Sequence, residues 1–229
     1  MPVTTSTPTD GPRVVSVNVG RAAPHPTSPR RSTGIDKQPV DQVDVHDPGP
    51  RESGGGSGVA GDFIGDGRHH GGSDQAVYLF AAEELAHWER ELGRDLAPGS
   101  FGENVTTAGL DVDALPLGTR LRIGGAVLLT CGPRIPCGTF AGHLAETGWT
   151  RRFAEHGRSG VYCAVLEPGT IRPGDPVHLE HSPDHGVDTT SAFRAQMGDL
   201  AAADRVLASG ALSAHRHAEL AAKVAARRR

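Results

Sequence analysis

The sequence predicts an α+β fold: a mainly antiparallel β-barrel with flanking short helices and a C-terminal three-helix appendage. Roughly six to eight short apolar or alternating runs are punctuated by Gly and Pro, which supply 31 and 17 of the 229 residues. The βα alternation that a parallel sheet needs is absent, which favours a barrel over an open α/β sheet. Beyond His185 the texture becomes Ala-rich with helical spacing.

Residues 1–12 are polar and Pro-rich and are expected to form a disordered leader. Arg13–Val19 alternates valine with polar residues and reads as a half-buried strand. Residues 20–39, rich in Pro, Ser, Thr and Arg, read as a long loop, and Val43–Val45 as a short strand. The glycine-dense run over 52–62 is a connection, and Ala76–Phe80 resumes as a strand. Ala81–Leu92 is the clearest amphipathic helix, with Leu85, Trp88 and Leu92 on one face, Glu83, Glu84 and Arg90 outward, and Gly93 ending it. Phe101–Thr107, Leu115–Ile123 and Ala126–Cys131 read as successive strands, followed by short helices over Thr139–Glu146 and Thr150–His156. Val161–Leu166 is apolar on both alternating sets and is expected to be buried on both faces; Pro176–Leu179 closes the series.

The domain organisation expected is therefore a barrel domain over 13–186 and a three-helix domain over 187–229. The last three helices span Thr190–Met197, Leu200–Ser209 and Ser213–Arg228, with Asp199 and Ser213 as caps. Leu200, Val206, Leu207, Leu212, Leu220 and Val224 should pack them, separably from any site in the barrel. With only 4% aromatic residues, the core is expected to be aliphatic and Ala-rich.

Composition excludes several function classes. A net charge of −4 argues against a nucleic-acid binder, and the terminal Arg227-Arg228-Arg229 is better explained as cations complementing a helix dipole. No run is apolar enough for a signal peptide or membrane span, and three cysteines are too few for a disulfide framework. A cytoplasmic protein is expected.

Four polar constellations carry candidate chemistry. Pro133-Arg134-Ile135-Pro136-Cys137-Gly138 is a stiff loop, because two prolines fix φ and remove backbone donors. Arg134 favours the thiolate of Cys137, which makes that residue a candidate nucleophile or soft-metal ligand; an inert loop cysteine is an equal reading of the same residues. Asp66-Gly67-Arg68-His69-His70-Gly71-Gly72-Ser73-Asp74 can hold a small anion through side chains and backbone amides, whereas zinc lacks any completing ligand spacing. Glu103 and Asn104, in Phe101-Gly102-Glu103-Asn104, either reach a ligand or make a turn. Arg158, in Gly157-Arg158-Ser159-Gly160, is an anion contact or a solvated loop residue, while Cys131 and Cys163 on apolar strands read as core.

These blocks in this order resemble the MOSC domain, specifically its bacterial YiiM-type branch. The similarity runs through Val15–Gly20, Thr33-Gly34-Ile35-Asp36-Lys37, the Asp66–Val77 run, Phe101–Thr107, Pro133–Cys137 and Gly157–Gly160, and includes the helical tail. The resemblance implies a β-barrel that binds the molybdenum cofactor (molybdopterin), with Cys137 as the thiolate on molybdenum. It makes Asn104 match a pterin or phosphate contact, alongside Asp66, His70, Glu103, Arg134 and Arg158 as candidate cofactor-binding residues. It implies reduction of small N-hydroxylated substrates, hydroxylaminopurine-type compounds among them, with electrons from a separate flavoprotein. His70, Asp66 and Glu103 are the candidates to relay protons, since an imidazole has its ordinary pKa near neutrality and carboxylates also serve as acids and bases. Gln75 stands where many relatives carry Lys, and Gly102 where the amidoxime-reducing branch has Arg. The alternative is a non-catalytic cofactor or sulfur carrier holding a persulfide on Cys137. No membrane or nucleic-acid partner is expected, and a homodimer is compatible with the sequence.

Overall fold

A computed structural model describes residues 11–229. The leader expected over 1–12 therefore lies outside the described residues, apart from Gly11 and Pro12. The first strands are β1 (Arg13–Gly20), β2 (Ala23–His25), β3 (Ser28–Thr33), β4 (Lys37–Val40) and β5 (Val43–Val45). They are followed by β6 (Val77–Ala81), helix α1 (Ala82–Leu92), β7 (Val105–Ala108), β8 (Arg120–Ile123) and β9 (Ala126–Pro133). Helices α2 (Gly138–Leu144) and α3 (Trp149–His156) precede β10 (Val161–Glu167), β11 (Gly169–Ile171) and β12 (Val177–His181). The chain ends in α4 (Thr189–Met197), α5 (Leu200–Ser209) and α6 (Ala214–Arg227).

Eight strands form one sheet in the order β12-β8-β9-β10-β6-β7-β1-β4, with β11–β5 and β2–β3 as separate pairs. All ladders are antiparallel except β6–β7. That pair is parallel because α1 lies between its strands and supplies the long crossover such a connection requires. A single βαβ unit thus sits inside a sheet read from sequence as having none.

The expected barrel is not formed, since no strand ladder closes the sheet. From Val17 onward the outer edge of β1 is occupied by β4, leaving only its first residues to meet the far edge. There the Val14 amide donates to Asp175 and the Val177 amide to Pro12, both at 2.9 Å, with one isolated bridge between Arg13 and Pro176. The result is a strongly curled open sheet whose seam is stitched at one end.

Residues 20–39 are not a loop either: they contain the β2–β3 hairpin and the edge strand β4. Polar residues serve there because β4 exposes all but Lys37, and an edge tolerates Pro39. The strand expected from Phe101 begins only at Val105, because Phe101–Asn104 form a turn. On β10, Val161, Cys163 and Val165 are buried, but Tyr162 is only partly covered and Leu166 is exposed, so one face alone is core.

The core has three parts. An aliphatic cluster that includes Val17, Val77, Leu79, Leu121, Leu128, Val161 and Cys163 lines the inside of the curled sheet. The few aromatic residues are concentrated in a second cluster, where Phe80, Trp88, Phe101, Phe140, Trp149, Phe153 and Phe193 pack α1–α4 against the sheet. Phe101 stacks on Phe80 at 4.8 Å and Trp149 meets Phe140 edge-on at 5.2 Å, geometries that aromatic quadrupoles favour. Glu84, expected outward on α1, is buried because Arg158 pairs with its carboxylate and His156 hydrogen-bonds it.

The third cluster joins α4–α6 through Ala202, Val206, Leu220 and Val224, with Leu207 and Leu212 beside it. Leu200 is exposed instead, since it is the first residue after the Asp199 cap, whose carboxylate accepts from the Ala202 amide at 2.9 Å. The tail is also stitched to the sheet body: Phe193 packs with Phe153, and the Thr189 amide donates to Leu115 at 3.0 Å. Among the described residues, no helix is long and apolar enough to cross a membrane.

Cys163 is wholly buried among aliphatic residues, and burial drives its thiol well above the ordinary range. Cys163→Ser should therefore lower unfolding free energy by about 1–3 kcal/mol, read from urea denaturation, because it buries a hydroxyl without a partner.

Candidate functional site

One open cleft of about 720 Å³ gathers side chains from widely separated segments. Its upper wall is made where the end of β3 lies back to back with residues 62–65. The approach is so close that a Cβ on Gly34 would sit 2.1 Å from the Phe63 carbonyl, and one on Gly65 2.0 Å from that of Ser32. Only glycine permits this contact. At the rim Arg31 pairs with Asp66 at 2.8 Å, and His25 meets the Thr139 hydroxyl at 2.8 Å.

The floor is an ion pair. Lys37 and Asp62 are joined with side chains 7% and 1% exposed. Asp62 also accepts from the Gly20 amide (2.7 Å), the Ser57 hydroxyl (2.7 Å) and Asn104 Nδ2 (3.1 Å). Burial pulls the Lys37 ammonium below its usual range, against the Asp62 carboxylate, which holds it up. Asn104 is itself fixed, with Oδ1 accepting from the Tyr78 amide at 3.2 Å.

Cys137 stands at the other end, in extended conformation just before α2. Burial pushes its thiol up, but His70, the Arg134 guanidinium and the Phe140 amide outweigh that and hold it at about 6. Arg134 is 5% exposed, with its guanidinium 3.7 Å from the Phe140 ring centroid and 5.7 Å from that of Tyr78. Its Nη1 is buried without a hydrogen-bond partner, as is Oε1 of Gln75, which also lines the cleft. The Tyr78 and Tyr162 rings, 5.0 Å apart, complete this end, and the Tyr78 hydroxyl donates to the Ser159 carbonyl at 2.7 Å.

Of the residues singled out from sequence, Asp66, His70, Asn104, Arg134 and Cys137 all line this cleft, as do Gln75 and Gly102. Glu103 and Arg158 do not. Glu103 points into the protein, where its carboxylate takes the amides of Gly99 (2.6 Å) and Phe101 (3.1 Å) and the Thr106 hydroxyl (2.9 Å). It is the organiser of the turn before β7, not a ligand contact or proton relay. Arg158 is spent on Glu84 and on Asp111 at 2.6 Å. Sequence reasoning missed Lys37 as a side chain at the floor, together with Asp62, Tyr78 and Tyr162. A signal was present for Lys37, one of only two lysines in a chain otherwise charged by arginine.

No cluster of three or more His, Cys, Asp or Glu side chains able to hold a metal occurs among the described residues. The cleft instead offers one soft thiolate, one buried guanidinium with a free donor, and a polar floor.

Because the folded Cys137 thiol titrates below its reference value of 9.0, the stability it contributes is present above that pH and is lost as pH falls through about 6. Its alkylation rate should rise with pH around a midpoint near 6. Arg134→Gln should move that midpoint upward by removing a cation; an unmoved midpoint would show the thiolate to be stabilised elsewhere.

The MOSC domain model matches residues 66–178, the span that carries the His70, Asn104 and Cys137 segments. The protein YflK of Bacillus subtilis (strain 168) is 35% identical over 158 residues, which are 66% of this chain and 72% of YflK. A reductase of Gibberella moniliformis is 28% identical over 118 residues, half of this chain but only 21% of that protein. The crystal structure of YiiM from Geobacillus stearothermophilus superposes with a TM-score of 0.72 at 28% identity, covering 93% of this chain and 99% of that one. The polar cleft, the matched segments and the near-complete structural overlap lead to one assignment: this chain belongs to the MOSC domain family, with YiiM and YflK among its homologues.

Proposed function

We propose that this protein is a molybdenum-cofactor-dependent reductase of small N-hydroxylated compounds. The observation that carries the reading is the pairing of Cys137, a thiol held at about 6, with Arg134, a buried cation whose Nη1 has no partner. MOSC domains are associated with the molybdenum cofactor, and the residues present fit such a group. A soft thiolate suits molybdenum, and the lack of any three-donor cluster among the described residues suits a metal that brings most of its ligands with it. The orphaned donor of Arg134 suits an anionic part of the same group.

When bound, the cofactor supplies a two-electron couple, matching the reduction of N–OH to N–H with two protons and release of water. The chain's own residues position and protonate. Pro133 and Pro136 stiffen the segment that carries Cys137, so its Sγ is placed at little entropic cost. Arg134 holds negative charge against Phe140 and Tyr78. Lys37, Asp62 and Asn104 keep the floor polar, and Lys37 Nζ offers its protons beside Asp62. His70, in the cleft and next to Cys137, can carry a proton on its ring nitrogens. A separate flavoprotein is the proposed source of electrons.

Protein made in a host that produces the cofactor should contain molybdenum and pterin near one per chain, and should reduce a hydroxylaminopurine when supplied with a reduced flavin donor. Cys137→Ser, nearly isosteric, should still fold, with its melting temperature lowered only by loss of the thiolate's contribution, and should lose almost all reductase activity. Wild-type activity in Cys137→Ser with cofactor bound would refute the mechanism. A protein that takes up no cofactor but accepts sulfur on Cys137 would establish the carrier role instead.

A further inference from the structure

The wall of the cleft formed by residues 70–75 is held from behind by the C-terminal helices. The Ser73–Gln75 turn carries Asp74 on its outer side and Gln75 on the side facing the cleft. Asp74 receives the Ser213 hydroxyl on Oδ2 at 2.6 Å, and its backbone carbonyl accepts from Arg216 Nη2 at 3.0 Å. Arg216 Nε lies 3.4 Å from the same carboxylate, with the side chain only 12% exposed. Arg216 is pressed flat on β9, where a Cβ at Gly132 would come within 2.8 Å of its Nη1. Beside it Arg51 reaches His215 at 2.7 Å and Glu219 at 3.4 Å.

A second, open groove of about 690 Å³ is lined by Arg51, Ser213, Arg216 and Glu219, and Gly71 and Gln75 line both this groove and the cleft. The wall is also tied to neighbouring loops, with the Gly72 amide donating to Gly56 at 2.9 Å, the Ser73 amide to Gly49 at 3.0 Å and the Ser73 hydroxyl to Asp47 at 2.6 Å, and it packs against β10 and β9. The carboxylate of Asp74 has its hydrogen-bond donor in Ser213 and its ionic partner in Arg216, both at the start of α6.

We infer that Arg216 and Ser213 are positioning residues, which act through Asp74 to set the wall that presents His70 and Gln75 to the cleft. The helical tail is then part of the site's scaffold and not a separable appendage. The consequence for cofactor retention rests on the function proposed above; the bracing of the wall does not.

Hydrogen exchange on the full-length protein separates the two. Charge-assisted bonds of this kind shift local opening by about tenfold or more. Asp74→Asn and Arg216→Gln should each accelerate amide exchange over residues 70–76 by about tenfold, with α5 and β9 unchanged. The double variant should exchange faster than either single variant but by less than the product of their effects, because the two share the Arg216–Asp74 ion pair while the Ser213 bond and the backbone-carbonyl bond are lost separately. Arg216→Lys, which keeps the charge, should recover part of the protection. In a cofactor-producing host, the same variants should retain several-fold less molybdenum than wild type. A wild type that binds no molybdenum would remove the functional reading while the exchange result still decides the brace. Unchanged exchange over 70–76, or acceleration spread equally through the sheet, would overturn the inference.

Discussion

The buried Lys37–Asp62 pair is the interaction on which the rest of the cleft depends. Asp62 binds the last residue of β1, the first residue of β4, the Ser57 loop and the residue before β7, so four stretches of chain meet on one carboxylate. Such a pair gains little over an apolar alternative, but loss of either partner leaves an uncompensated buried charge at a cost of about 3–5 kcal/mol. The arrangement is thus better understood as a device for register and polarity than as a source of stability. It fixes where the sheet's curled end stops and keeps the cleft floor polar.

From that floor the two ends of the cleft diverge in chemistry. Toward Cys137 the walls are aromatic, and Arg134 gains from stacking on Phe140 what it lacks in hydrogen bonds. Toward Asp66 the walls are polar and partly open, and the Arg31–Asp66 pair is exposed enough to add little stability. A ligand with one soft, flat end and one charged end matches that gradient.

Much of the site was legible in the sequence, and for physical reasons. Cys137 stood out because Pro136 bars helix and a continued strand just before it, although Pro133 proves to be the last residue of β9, and the 66–74 run because glycines free backbone amides. What was not legible depends on partners distant in sequence. Glu103 and a ligand contact look alike in a Gly-flanked turn; only the amides of Gly99 and Phe101 decide between them. Arg158 was equally ambiguous until Glu84 and Asp111 were seen to hold it. In the fold, strands with alternating or wholly apolar patterns were readable, whereas β2–β4 were hidden because edge and hairpin strands need no apolar face. The barrel expectation failed because strand spacing does not encode which edge β4 occupies.

The sheet order has a kinetic meaning. β1, made early, finds its ladder partner in β7 and its seam partner near Asp175. The cleft's lining runs from His25 to Tyr162, and the wall at Gln75 leans on a helix that begins at Ala214. Contacts of such long sequence separation form slowly, and none of the cleft's complete lining exists while the ribosome is still adding β10. Any ligand that needs the complete lining must enter after β10 is in place. Loading is therefore a property of the finished fold and not of the order of synthesis.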